Sequence, residues 1–126
     1  MSGEIFHFEK ERTLHGITHT GSKGAVASRV VMIDDMLDTG DTLVSACEQL
    51  NERGVREIYI MVTHGLFTGS KWKKLWELRV KTIFCTDTVA IPTEMRSQPI
   101  VTLSVIPLLD PALRQEVAYA HRTPTR

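Results

Sequence analysis

The chain carries no surplus charge. Fifteen basic residues balance fifteen acidic ones over 126 residues. Nucleic-acid and acidic-membrane binders need excess cations to displace counterions, so neither partner is expected. Aromatic residues make up only 6%, and there are two cysteines, Cys47 and Cys85. Two thiols in a chain this long form no disulfide framework, and a reducing, cytoplasmic setting is expected. Long hydrophobic runs are missing as well, since nothing approaches the ~18 apolar residues of a membrane span. The start, MSGEIFHFEKERT, is polar and acidic and lacks the basic-then-apolar pattern of a signal peptide. Internal repeats and low-complexity tracts are lacking. What is there is 42% hydrophobic and 24% charged, an ordinary composition for one soluble domain.

Solid apolar runs alternate with helical patterns. Arg29-Val-Val-Met-Ile33 is β-branched and apolar throughout, as in a strand buried on both faces, and it ends in Asp34-Asp35. Leu43, Ala46, Cys47 and Leu50 follow at helical spacing, and Gly54 stands where a helix stops. Further strands are expected near 57–63, 81–86 and 100–106. Further helices are expected near 70–78 and 111–120, the last opened by Asp110 as N-cap and Pro111 at the first helical position. Thr13–Ser28 is rich in Gly, Thr, His and Ser and reads as an exposed loop or hairpin. The pattern implies an α/β fold, a parallel sheet with helices on both faces. Ligands in such sheets bind beyond the carboxyl ends of the strands. Polar residues gather at those ends: Asp34-Asp35, Thr63-His64 and Thr86-Asp87-Thr88.

The segment Val30-Val-Met-Ile-Asp34-Asp35-Met-Leu-Asp38-Thr39-Gly40-Asp41-Thr42 carries the chemistry. A strand delivers two carboxylates, and a short turn then opens a helix. Backbone N–H groups at a helix start bind anions. Gly40 permits close approach of a phosphate, and Thr39 and Thr42 add hydroxyls. Asp34 and Asp35 are placed to accept hydrogen bonds from sugar hydroxyls, directly or through a divalent cation. The segment therefore offers a phosphate cradle and a diol clamp together.

This segment resembles the phosphoribosyl-pyrophosphate motif of type I phosphoribosyltransferases. Thr63-His-Gly-Leu-Phe-Thr-Gly69, Thr86-Asp-Thr88 and Leu103-Ser-Val-Ile-Pro-Leu-Leu109 narrow the resemblance to the C-terminal half of ribose-phosphate pyrophosphokinase, from about Phe6 to Val117. The resemblance implies one truncated phosphoribosyltransferase-like domain over 1–126, with 1–28 as a strand and flexible-loop remnant and 29–120 as the α/β core. It implies ribose 5-phosphate or phosphoribosyl pyrophosphate as ligand and Mg²⁺ as cofactor. The substrate-binding set is then Asp34, Asp35, Asp38, Thr39, Gly40, Asp41 and Thr42. Lys10 and Arg12 match the family's catalytic Lys-x-Arg, whose role is to stabilise phosphoryl charge.

Departures temper that reading. Family members are much longer, and neither their ATP-binding half nor the pyrophosphate loop is encoded in these 126 residues. Asp41 stands where the pyrophosphokinase usually has Gly, and a carboxylate there opposes an anion unless it turns away as a cap. His64 either lines the cleft or holds the turn by hydrogen bonding. His7, His15 and His19 lack the carboxylate or Cys partners of a metal site and are read as exposed. Cys47 and Cys85 are read as small core residues. Trp72 and Trp76 are read as packing, or else as an assembly surface. The expected function is a ribose-phosphate-binding domain that is not catalytic alone. The alternatives are a structural or regulatory subunit of a full-length pyrophosphokinase, or a split enzyme piece needing a separate ATP-binding chain. An unpaired sheet edge makes a homo-oligomer, most simply a dimer, the expected state, through Glu4–Phe8 or the Trp72/Trp76 helix.

Overall fold

The computed structural model describes residues 9–13, 16–20 and 27–120, with side chains described over 27–114. Six strands and two α-helices are formed there. β1 (Glu9–Thr13) and β2 (Gly16–Thr20) make an antiparallel hairpin. The remaining strands, β3 (Arg29–Leu37), β4 (Glu57–Gly65), β5 (Val80–Thr86) and β6 (Ile100–Leu103), form one parallel sheet in the order β3-β4-β5-β6. Helix α1 (Asp41–Glu52) links β3 to β4, and α2 (Ile106–Ala120) follows β6. Among the described residues no helix is long and apolar enough to cross a membrane.

The α/β class and the parallel sheet stand as expected. Several boundaries do not. β3 runs on through Leu37, paired with Gly65, so Asp34 and Asp35 lie inside the strand. The segment Lys71–Leu78 is a 3₁₀ helix, tightened by the Lys73 N–H on the Ser70 carbonyl at 3.1 Å and stopped by Arg79 in the left-handed region at φ 65°. Helix α2 begins five residues before Pro111. Ser104 Oγ accepts the Ile106 N–H, and the Val105 carbonyl accepts from Leu108 and Leu109. Pro107 thus occupies the first turn, where a missing N–H costs nothing, and Pro111 lies inside the helix.

Helical cover was expected on both faces of the sheet. Among the described residues the packed cover is on one face. Strands that advance in a single direction, joined by crossovers of one hand, place all their connections on one side. Accordingly α1 and the 3₁₀ helix pack against each other over one face. The core between them and the sheet includes Leu43, Cys47, Leu50, Ile58, Ile60, Trp72, Leu75 and Ile83, all buried. The opposite face leaves Val31 54% and Ile33 80% exposed.

Trp72 is 1% exposed and meets Phe67 edge to face, with ring centroids 5.2 Å apart. It therefore packs in the core and offers no assembly surface; Trp76 packs partly buried against the same cluster. Both cysteines are buried and free. Burial pushes the Cys47 thiol up to about 12 and raises that of Cys85. Truncation of the largest buried side chain tests this core. Trp72→Ala is expected to lower stability by about 3–5 kcal/mol, read by urea denaturation, because the void it leaves lies against rigid backbone.

Candidate functional site

The turn after β3 closes an open concavity of about 570 Å³ lined by residues 34–43. Gly40 is the N-cap of α1, with φ 88° in the left-handed region and no side-chain cap bond. Its carbonyl accepts the Val44 N–H at 2.8 Å, the first bond of the helix. The N–H groups of the first turn have no intrahelical acceptor and carry the positive end of the dipole. These N–H groups open onto a concavity that Asp34, Asp35, Asp38 and Asp41 also line.

Gly40 is required for a reason the sequence does not reveal. A Cβ on Gly40 would lie 2.7 Å from the Trp72 Cα and 2.8 Å from its Cβ. The close approach that demands glycine is thus made by the chain itself. A bulky substitution there would disturb α1 and the 3₁₀ helix together, whether or not a ligand binds.

Asp41 occupies the first helical position, beyond the cap. Its carboxylate accepts hydrogen bonds from the ammonium of Lys71 and, at 2.8 Å, from Thr39 Oγ1. The Lys71 bond, joined by the Thr39 hydroxyl, holds the Asp41 carboxyl below its usual range. The charge expected to oppose an anion is therefore matched by a neighbouring cation. Lys71 was missed in the sequence because thirty residues separate it from Asp41. Asp38 is held by the hydroxyl of Thr68. The loop carrying Thr68 is itself fixed, because Leu66 and Phe67 both donate to the Leu37 carbonyl, at 2.9 and 3.0 Å.

Asp34 and Asp35 stand next to the turn. Consecutive strand residues project to opposite faces; Asp34 is half-buried, and Asp35 is exposed on the bare face. Asp34 Oδ1 accepts the Asp35 N–H at 2.9 Å. A single diol would thus meet one of the two directly. No group of three metal-binding side chains occurs among the described residues. The site still supplies hard oxygen donors, which suits a magnesium ion that takes one or two carboxylates and completes its shell with substrate oxygens and water.

His64 lies at the same end of the sheet, since Met36 is its register partner on β3. Its Nδ1 is hydrogen-bonded to Thr88 Oγ1 at 2.8 Å. Thr86 Oγ1 donates to the Thr63 carbonyl at 2.7 Å, so the ends of β4 and β5 are sewn together. Asp87 is also structural: its carboxylate accepts the Val105 N–H at 2.9 Å and leads the chain from β6 into α2. Lys10 and Arg12 occupy alternate positions of β1, opposite His19 and Ile17. Their side chains lie outside the described set, as do residues His7, His15 and Glu4–Phe8.

A parallel strand that ends in a tight turn opening a helix, repeated across one sheet, defines the class as an α/β domain. Comparison with known proteins gives the particular family. The family model described as phosphoribosyl synthetase-associated domain matches residues 16–120. The chain belongs to that family. Ribose-phosphate pyrophosphokinase 2 of Saccharomyces cerevisiae is 34% identical over 116 residues, covering 91% of this chain and 36% of the yeast protein. The ribose-phosphate pyrophosphokinase of Bifidobacterium longum is 35% identical over 99 residues, 71% of this chain and 29% of that one. The crystal structure of phosphoribosylpyrophosphate synthetase from Mycobacterium smegmatis superposes with a TM-score of 0.74 at 25% identity, covering 89% of this chain and 37% of that chain. The chain thus spans about a third of the length of these relatives.

The Asp87 clasp gives a pH expectation. Hydrogen bonds from the Ser104 hydroxyl and then the Val105 N–H lower the Asp87 carboxyl below its ordinary 3.8. A depressed acid contributes stability above its unfolded value and loses it as pH falls through the folded one. The Val105 amide resonance should therefore shift with a midpoint below 3.8 in an NMR titration, and Asp87→Asn should abolish the transition.

Proposed function

We propose that this chain binds ribose 5-phosphate, or the same moiety of phosphoribosyl pyrophosphate, in the turn Asp38–Thr42, with Mg²⁺. The observation that carries the reading is the left-handed Gly40 cap, which presents the first-turn N–H groups of α1 to the concavity. The phosphate sits on those N–H groups and on the Thr42 hydroxyl, and on the Thr39 hydroxyl once it turns from Asp41. Asp34 or Asp35 accepts from the ribose hydroxyls. A bound metal ion would offset charge between phosphate and carboxylate oxygens, with Asp34 or Asp35 as its protein donor. The buried free thiols fit a cytoplasmic setting.

Lys71 sets the charge of this site. In the free protein it is paired with Asp41. Both groups are largely exposed, so the pair is worth little to stability and is free to rearrange. A phosphate at the turn competes with Asp41 for the ammonium. The relatives named ribose-phosphate pyrophosphokinase imply pyrophosphate transfer to the sugar. That reaction needs a second substrate held in line with the first. The residues described here build one anion site, and we infer that the chain alone binds without turning over.

Titration calorimetry with ribose 5-phosphate and Mg²⁺ tests the binding. A millimolar dissociation constant, about −4 kcal/mol, is expected. Asp41→Gly releases Lys71 to the phosphate and should tighten binding, whereas Lys71→Ala leaves Asp41 unopposed and should weaken it. No heat at any accessible concentration, or the reverse order of the two variants, overturns the assignment. For the reaction, no phosphoribosyl pyrophosphate should form from ATP and ribose 5-phosphate with the 126-residue chain alone. Robust turnover that Lys10→Ala abolishes would establish a catalytic chain instead.

A further inference from the structure

Residues 66–72 form a wall beside the turn at Gly40 and meet it at three places. Thr68 Oγ1 donates to Asp38 Oδ1, the Trp72 backbone lies against Gly40, and the Lys71 ammonium donates to Asp41. The turn itself supplies acids and no cation. Asp34, Asp35, Asp38 and Asp41 line the concavity, and its other lining residues are uncharged. Two of these four carboxylates are thus met by donors from residues 66–72. Lys71 has its place in the binding reading above; the Thr68 hydroxyl does not.

The backbone before Thr68 is strained. Phe67 holds φ 51°, in the left-handed region that bulky residues avoid. Three contacts keep it there. Its ring is buried and packs edge to face on Trp72. Its N–H donates to the Leu37 carbonyl at 3.0 Å. Gly65 leaves the room the ring needs, since a Cβ there would lie 2.6 Å from Phe67 Cε2. The strained residue is therefore tied to the peptide that leads into Asp38, and the next residue brings its hydroxyl to that carboxylate.

We propose that Thr68 is a positioning residue for phosphate binding, an inference that rests on the binding reading above. Its hydroxyl holds the Asp38 carboxylate on the loop after β4 and takes up part of its charge. A phosphate on the first-turn N–H groups of α1 then meets less opposition from Asp38. Lys71 does the same for Asp41 with a full charge, where Thr68 uses a dipole. A serine hydroxyl can replace that of threonine; valine, of nearly the same shape, has no donor.

Calorimetric titration with inorganic phosphate and with ribose 5-phosphate, each with Mg²⁺, tests the role. Thr68→Val should weaken both by about fivefold, the worth of one hydrogen bond to a charged group. Thr68→Ser should bind as the wild type does. Asp38→Asn removes the charge that Thr68 holds, so it should tighten binding, and Thr68→Val added to it should change nothing further. General damage to the loop would instead weaken binding in both backgrounds and would not spare the serine variant. Should Thr68→Val fail to fold, Thr68→Ala takes its place in the same cycle. Wild-type affinity in Thr68→Val overturns the positioning role alone, as does an equal loss in the Asp38→Asn background. A wild-type chain that binds neither probe overturns the binding reading and this inference with it.

Discussion

The position of the whole site rests on the contact between Gly40 and Trp72. Two backbones approach until no Cβ fits between them. From this contact the surrounding geometry follows. Trp72 is locked into the core beside Phe67. Lys71, its chain neighbour, is thereby carried to Asp41. The left-handed turn at Gly40 aims the start of α1 outward, and the loop after β4 closes beneath it through Leu37. A glycine that looks like an accommodation for ligand is first a requirement of packing. The fold and the turn cannot be altered separately at this residue.

Much of the fold was legible because its signals are local. β3 and α1 declared themselves through a β-branched apolar run and a repeat of Leu43, Ala46, Cys47 and Leu50. The turn between them was legible because a strand, two acids and Asp-Thr-Gly occur in immediate succession. What escaped was long-range. The Lys71–Asp41 pair, the hold of Thr68 on Asp38 and the contact of Trp72 with Gly40 each join segments about thirty residues apart. No periodicity encodes them. The start of α2 escaped for another reason. Two prolines four apart, Pro107 and Pro111, each offer a helix start, and hydrogen bonding at Ser104 and Val105 selects the first.

The bare face was illegible in a more basic way. Alternation of strand and helix specifies that crossovers exist, not the direction in which the sheet grows. Only the order β3-β4-β5-β6 reveals that each step goes the same way and leaves one side uncovered. Val31 and Ile33 look, in the sequence, like residues of a strand buried on both faces. In the single chain they are exposed, and the apolar run itself is the sign that something is meant to lie against them.

The consecutive strand order has one more consequence. The groups named around the turn at Gly40, from Asp34 to Trp72, come from one unbroken stretch of chain. Sites assembled from distant segments are lost when recombination cuts a gene between them. This one travels whole. A rearranged gene that keeps the stretch inherits the turn together with the packing that holds it, and natural selection can put it to new use.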